Sequence, residues 1–522
     1  MSTSEVVAAP PAPEAPLAEP GFWTRWSDRM NPILVREIQQ AMKGRAFVLT
    51  VFVALAISTV IAAAVAGNHE SMPRAGAEAF NAGLATLVPM VLFVVPMQAY
   101  QSMRLELRAG IVEQLFLSGL RPRSILFGKL MAALVQFALY VSVMSPLLAT
   151  SYLLRGVDVP TIVVSLVLAL VFCIAATSFA ISSAAQAILP AMQAFANLGA
   201  ALVLGIGTFS LVAYVGSGEY SRDLPWLLRS NEFGIVMSLI VGGGLCSTAL
   251  SLLTAQSFLL HSFENRSTGF RVFMFAMIPV AFGWTWIFVP ATYWDGAVPA
   301  ATFFLCLLGA VFGVFMTTEQ RALSPRVFAH VPRSPLLAAI AAPLLPGRDR
   351  GMSCLILYFA LVGLLALCWW PPAPPAPSGW TYREDMFRLL LFTGAYALVY
   401  LGLAKALRSR LPASVMGNHV ARFLVVIMLF AFCLLPVLID AFTRGRVDWH
   451  WGHAMNPFWT IERHAFRTRD QSPNAVPIAL TALCAAAALQ LPAMLRGFAE
   501  VLGASSARQR RQAGTAVQSA GT

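Results

Sequence analysis

Residues 159–218 read "VPTIVVSLVLALVFCIAATSFAISSAAQAILPAMQAFANLGAALVLGIGTFSLVAYVGSG" and contain no Asp, Glu, Lys or Arg. A helix needs about 20 mainly apolar residues to cross the roughly 30 Å hydrocarbon core of a bilayer. The stretch is therefore long enough for two membrane spans and the turn between them. It places the chain among helical membrane proteins.

The rest of the chain has the same character. Of its 522 residues 58% are hydrophobic and 11% are charged, and the mean hydropathy is +0.70. A soluble protein of this length needs far more charge to cover its surface. We therefore expect an all-α, polytopic membrane protein with about twelve spans. They are predicted at 46–66, 79–99, 130–153, 160–183, 194–216, 234–260, 272–291, 299–318, 353–370, 387–404, 422–442 and 476–495.

The basic residues favour one orientation in the bilayer. With both termini in the cytoplasm, the inside segments hold 24 Arg and Lys and the outside segments hold 10. The positive-inside rule then predicts a multi-pass protein of the cytoplasmic membrane. The net charge of +12 does not indicate a nucleic-acid partner, because the basic residues are scattered between apolar runs and form no stripe.

Composition also predicts how the chain is divided. Residues 1–20, rich in Pro, Ala and Glu, are expected to be a disordered tail, and residues 496–522 a basic tail. Between them we expect two six-helix membrane domains, 21–260 and 261–495. The second could be a diverged repeat of the first, since its Arg-rich loop 319–352 contains "LSPRV" where loop 104–130 contains "LRPRS". The alternative is six added spans of unrelated packing.

The segment "NPILVREIQQAMKGRAF" (31–47) precedes the first span. Asn31 is a good helix N-cap and Pro32 a good first helical residue, so a helix is predicted to begin there. On a helical wheel Leu34, Ile38, Ala41 and Met42 form an apolar face, and Arg36, Gln40 and Lys43 lie opposite. The pattern is typical of an amphipathic helix in the membrane interface, and a plain basic anchor for the first span fits it as well.

A second amphipathic stretch, "RLELRAGIVEQLFLSGLRPRSILFGKL" (104–130), lies between spans 2 and 3. Apolar residues from Leu105 to Phe116 can share one side of a helix, and Glu106 and Glu113 can lie on the remainder. Gly119, followed by Pro122, is expected to end that helix.

The two stretches together resemble the permease subunits of ABC-2 type transporters. The first is similar to the family pattern "NPxxxRE", and the second to "ERExGTxExLxxTPLSPxxIxxGK". The matching residues are Asn31, Pro32, Arg36 and Glu37 in the first, and Glu106, Gly110, Glu113, Leu115, Leu120, Pro122, Ile125, Gly128 and Lys129 in the second. The sequence departs from the pattern at Leu107, Arg108, Ile111 and Ser118-Gly119.

The resemblance implies a membrane subunit of an exporter that is powered by a separate ABC ATPase. That ATPase would rest on the two amphipathic elements, and the residues expected to couple it to the spans are Arg36, Glu37, Glu106, Gly110 and Glu113. It would also hold the ATP and Mg²⁺, because the Gly128-Lys129 pair of this chain is followed by Leu130 and lacks the glycine spacing of a Walker A motif. No catalytic residue, metal ligand or cofactor is assigned to the chain itself. Besides the ATPase and the bilayer, the expected partner is a second copy of the chain, unless the two halves form a pseudo-dimer.

Three other readings remain open. A twelve-span secondary transporter fits the span count, although Asp440 is the one candidate for a charge in a span interior, because Arg388 and Arg422 lie at span edges. A membrane enzyme acting on a lipid-linked substrate would use loop 443–475, where Asp448, His450, His453, Glu462 and His464 could also hold a metal. A scaffold that binds an ATPase without transport is the third. All seven cysteines lie in apolar runs and are assigned no chemistry.

Overall fold

A computed structural model describes residues 32–67, 72–186, 190–260, 264–320, 324–329, 331–368, 382–412, 415–444, 451–466 and 474–520. These residues form helices joined by turns and short loops, and they include no β-strand. The all-α prediction is confirmed. The predicted tail 1–20, Asn31 and the Pro-rich segment 369–380 lie outside the described residues.

Twelve of the described helices are long and apolar enough to cross a membrane. They are numbered here as spans 1 to 12, and the polytopic membrane fold is thereby confirmed. In the first half they are Arg45–Gly67, Met72–Pro89 continued by Val95–Arg108, Pro122–Leu153, Val159–Gln186, Pro190–Gly216 and Phe233–Leu259. In the second half they are Thr268–Phe288, Trp294–Thr317, Arg348–Cys368, Tyr382–Arg410, Val415–Arg444 and Ala475–Ala520.

The shorter helices lie between the spans. The interfacial helix, Pro32–Lys43, precedes span 1, and the loop helix, Ile111–Leu117, lies between spans 2 and 3. The others are Tyr220–Arg229, Pro325–Phe328, Pro335–Ala341 and Pro457–Ile461, with 3₁₀ turns at Ala291–Tyr293, Ala342–Leu344 and Trp451–His453 and π-helical turns at Met90–Val94 and Glu462–Phe466. The end of the bundle that carries the interfacial helix is called the basal end, and the opposite end the distal end.

The loop between spans 2 and 3 differs from the prediction. A single helix through residues 105–116 is wrong, because span 2 continues to Arg108 and Gly110 then takes a left-handed backbone conformation, with φ of 67°. Such a φ interrupts an α-helix and is strained for residues with a Cβ. The expected stop is confirmed: the loop helix ends before Gly119, at φ of 82°, and Pro122 begins the next helix. The loop is thus a short helix between two glycine joints.

Each half has an apolar core of its own. In the first half, one cluster includes Phe80, Tyr140 and Met144, and a second includes Tyr100 and Met103. The second half is built around Met274, Tyr358 and Leu401. All seven cysteines are free.

Candidate functional site

The interfacial helix lies against the basal ends of spans 1 and 3. Proline at its first position suits the start of a helix, since the first amides have no helical acceptor. Leu34 and Ile38 are half-buried, while Gln40 and Lys43 are exposed, as the amphipathic pattern predicts. Two residues differ from the pattern: Met42 of the predicted apolar face is 46% exposed, and Arg36 of the predicted polar face is half-buried. Glu37 is only 6% exposed. The deepest described contact of this helix is therefore made by a charged residue.

Glu37 belongs to a buried charge cluster, defined as Arg36, Glu37, Glu106 and Lys129 with the hydroxyl of Ser102. Lys129 Nζ of span 3 lies 2.8 Å from Glu37 Oε1 and 2.9 Å from Glu106 Oε2. Arg36 Nη2 lies 3.0 Å from Glu37 Oε1 and also pairs with Glu106 Oε1. Ser102 of span 2 accepts a hydrogen bond from Lys129 at 2.7 Å and lies 3.1 Å from Glu37 Oε2. The cluster joins the interfacial helix to spans 2 and 3.

The cluster is balanced in charge, and its members other than Arg36 are shielded from solvent, whereas the Arg36 side chain is 40% exposed. Lys129 is 2% exposed and Glu106 5%, and the two cations face two carboxylates. Burial alone raises the pKa of Glu37, but the charge and hydrogen bond of Lys129 and the hydrogen bond of Arg36 outweigh burial and lower the pKa below its usual value. The ionised form of Glu37 is therefore the stable one. A buried charge that loses its partner is costly, so the elements that supply these charges are held together as a unit.

Three of the five predicted site residues meet here. Arg36 and Glu37 are separated from Glu106 by about 70 residues of sequence, yet all three share the cluster. Gly110 and Glu113 lie outside it. Gly110 forms the joint between span 2 and the loop helix, and a Cβ added there would meet nothing within 4 Å. Glu113 is exposed on the loop helix.

The sequence prediction missed Lys129 and Ser102 as site residues. Lys129 matches the family-like pattern, but it was not assigned a coupling role. A signal for it exists: only Lys43, Lys129 and Lys405 among the 36 basic residues are lysines. Two of these three are buried in ion pairs, since Lys405 Nζ lies 2.9 Å from Asp349 Oδ1 in the second half. Ser102 carries no comparable signal.

A cavity of about 190 Å³ lies beside the cluster, between the interfacial helix and spans 2 and 3. Its polar lining includes Glu37, Lys129 and the side chains of Gln98, Gln101 and Gln136. The interfacial helix is thus fixed at Glu37 and has open space next to that point.

The described part of the distal loop is held by a contact between His453 and Asp440. His453 Nε2 lies 2.6 Å from Asp440 Oδ2 of span 11, with His453 0% exposed and Asp440 3%. The His453 ring also packs edge-on against Trp459, with centroids 4.6 Å apart, and His464 stacks on Phe392. The described residues include no group of three or more metal-ligating side chains, and Asp448 and His450 lie outside them.

The basal loop of the second half is held by a buried arginine. Arg271 of span 7 is fully buried and donates to the carbonyl oxygens of Pro343 at 2.8 Å and Gly347 at 3.3 Å. It also pairs with Glu319 Oε2 at 2.8 Å, and Glu319 in turn accepts the amide of Gly347 at 2.7 Å. Arg271 therefore holds this loop against span 7 mainly through hydrogen bonds to backbone carbonyl oxygens. The charge cluster of the first half differs, because it joins side chains from three helices.

Comparison with protein-family models, with curated proteins and with solved structures finds no match.

Proposed function

We propose that the chain is the membrane permease subunit of an ABC-type transporter, which exports a substrate with energy from a separate ATPase. The observation that carries the proposal is the buried charge cluster. Arg36, Glu37 and Glu106, chosen from the two family-like motifs, lie in one ion-paired group with Lys129. A sequence resemblance in two separate stretches and their meeting in space are independent observations.

The geometry suits the transmission of movement from a basal partner to the spans. The exposed surface of the interfacial helix and of the loop helix, including Gln40, Glu113 and Gln114, faces away from the bundle. A partner that displaces the interfacial helix also displaces spans 2 and 3, because Glu37 pairs with Lys129 of span 3 at 2.8 Å and Arg36 pairs with Glu106 of span 2. The ATPase would dock on this surface, and the cluster would carry the displacement inward.

The same proposal fixes the orientation. Loops at the basal end carry most of the Arg and Lys residues, so that end faces the cytoplasm in a cytoplasmic membrane. ATP is cytoplasmic, and the basal surface is then on the side where an ATPase can reach it.

The test is purification of the tagged full-length chain from native membranes in mild detergent, with identification of co-purifying proteins. The expected partner carries Walker motifs, and its ATP turnover in the reconstituted complex should fall on Glu113→Lys while the chain remains inserted. Absence of such a partner rejects the proposal, and unchanged turnover for Glu113→Lys in a complex that does form rejects the coupling role of Glu113.

A proton-coupled secondary transporter is the second candidate, favoured by the buried Asp440–His453 pair. An ionisable residue within a span is costly and is commonly retained for ion or proton movement. Under that function, transport would follow a proton gradient without any ATPase, and Asp440→Asn would abolish it. Under the permease function, Asp440→Asn leaves ATP-driven transport in place once the protein is folded.

A further inference from the structure

The two halves of the chain pack their spans in the same pairs. In the first half, span 2 contacts spans 1, 3, 4 and 5, span 4 contacts spans 3, 5 and 6, and span 3 contacts spans 1 and 6. In the second half, span 8 contacts spans 7, 9, 10 and 11, span 10 contacts spans 9, 11 and 12, and span 9 contacts spans 7 and 12. Adding six to each number of the first set gives the second. Span 9 and the loop before it therefore correspond to span 3 and the loop before it.

Corresponding spans are held by a buried cation and a glutamate from a further helical segment. Lys129 of span 3 pairs with Glu37 of the interfacial helix at 2.8 Å. Arg350 of span 9, 1% exposed, pairs through Nη1 with Glu500 Oε2 at 2.6 Å. Glu500 lies in the terminal segment, defined as residues 497–508 of the last helix. The terminal segment thus contacts the second half where the interfacial helix contacts the first.

The terminal segment also covers the basal loop of the second half. Val501 and Ala504 are buried in one apolar cluster with Ala338 and Ala342 of that loop. Ser505 Oγ donates a hydrogen bond to the carbonyl oxygen of Arg333 at 2.7 Å. This segment was predicted to be a basic tail, and the structure continues it as helix through Ala520.

The other side of the covered helix is apolar. In helix Pro335–Ala341, the exposed fraction is 71% for Leu336, 55% for Leu337 and 64% for Ile340. Three large apolar residues on one face of a short helix beside membrane spans suit contact with lipid. Neither side of this helix then offers a polar surface to a soluble protein.

The loop helix of the first half has the opposite arrangement. Val112 is 3% exposed and packs in the cluster of Tyr100 and Met103, while Glu113 and Gln114 on the same helix are exposed. The buried residues that cluster with Val112 all belong to spans 2 to 6 of the first half. Its polar side is open at the basal end.

We propose that each chain docks a single ATPase, on the first half, because the terminal segment closes the corresponding position of the second half. The inference rests on the proposed function and adds to it the number of ATPases that each chain binds. The two docking positions of the duplicated arrangement are unequal: one is open and polar, and the other is filled by the chain itself.

The test places a photo-crosslinking amino acid at Gln114 or at Arg333 of the full-length chain in native membranes. Arg333 is exposed and its carbonyl oxygen accepts the hydrogen bond from Ser505, so it lies beside the terminal segment. The captured protein is identified by peptides that contain Walker motifs, and the purified complex is weighed by native mass spectrometry. We expect capture from position 114 and none from position 333, with one ATPase for each chain. Capture at both positions, or two ATPases for each chain, overturns this inference and leaves the proposed function standing. Capture at neither position rejects both.

A further variant tests the closing role of the terminal segment. Val501→Asp places a charge in the apolar cluster and should release the segment, so that position 333 begins to capture the ATPase. The matched control is Leu502→Asp at the neighbouring exposed position, which should leave position 333 silent. If Val501→Asp is inserted, retains capture at position 114 and still gives none at position 333, the segment is not what closes the second half. If Val501→Asp does not insert, Glu500→Gln, which weakens the pairing with Arg350, takes its place with the same two readings.

Discussion

Replacement of Lys129 by Met should release the interfacial helix from the bundle. Lys129 Nζ contacts two carboxylates at 2.8 and 2.9 Å and donates to Ser102 at 2.7 Å, while the residue is 2% exposed. Methionine fills nearly the same volume but leaves Glu37 and Glu106 with Arg36 as their only described cation. Removing one partner of a buried ion pair costs about 3–5 kcal/mol.

That cost sets the size of the expected effect. Each 1.4 kcal/mol is about tenfold in an equilibrium constant, so local opening of the interfacial helix should increase by roughly two to three and a half orders of magnitude. Amide hydrogen exchange in the peptide covering residues 32–43 reports that opening directly. The full-length chain in nanodiscs is the sample, at a pH near 7 where Glu37 is ionised.

Two controls make the result interpretable. Lys405→Met removes a second buried lysine, which pairs with Asp349 at 2.9 Å in the other half, and it should leave exchange in residues 32–43 unchanged. Lys129→Met combined with Glu37→Gln should recover part of the protection, because one buried carboxylate is then neutral. Wild-type protection in Lys129→Met, or a double variant no better protected than the single one, refutes the claim that the charge cluster holds the helix.

Three further predictions concern the same end of the molecule. Glu113→Lys should lower ATPase association several-fold without changing thermal stability, whereas Glu232→Lys, an exposed charge reversal at the distal end, should leave association unchanged in the same pull-down. Gly110→Val should cost about 1–2 kcal/mol, because φ of 67° is unfavourable for a residue with a Cβ, and Gly110→Asn should cost less; thermal melts of the two variants compare them. The mobility of a spin label at position 40, in a cysteine-free background, should rise as the pH falls below about 4.5, the ordinary pKa of a glutamate. The lowered pKa of Glu37 means that its ionised form stabilises the fold above the ordinary value of 4.5, and that this contribution is lost as the pH falls through the folded-state pKa. Mobility that is unchanged at pH 3 contradicts the last prediction.

The membrane fold could be predicted from the sequence because a membrane span depends on the apolarity of about 20 consecutive residues, which a local stretch of sequence shows. Each predicted span corresponds to one of the twelve spanning helices, although span 2 runs to Arg108 where residue 99 was expected. That extension has a physical reason: the helix continues past the apolar window to carry Glu106 into the charge cluster. Hydropathy averaged over a window of residues cannot detect a helix whose continuation is stabilised by contacts with residues distant in the sequence.

The candidate site could be predicted only in part for the same reason. The motifs marked Arg36, Glu37 and Glu106, but periodicity assigned Glu37 to neither face of the interfacial helix. In the structure Glu37 is 6% exposed. Its burial depends on Lys129, a residue 92 positions away, and no local pattern encodes that pairing. The Asp440–His453 pair is similar, since neither residue alone distinguishes a metal site from an ion pair.

The arrangement of rigid and flexible points limits how force can enter the spans. The charge cluster is a rigid joint, because separating its charges is costly, whereas the loop helix is joined at both ends by glycines in the left-handed region, Gly110 and Gly119. A load on the interfacial helix therefore moves spans 2 and 3 together. A load on the loop helix can be absorbed by rotation at its glycine joints unless Val112 stays packed against the bundle. If an ATPase drives this protein, the interfacial helix is the stiffer input, and mutations of Glu37 should uncouple transport from ATP turnover more completely than mutations of Glu113.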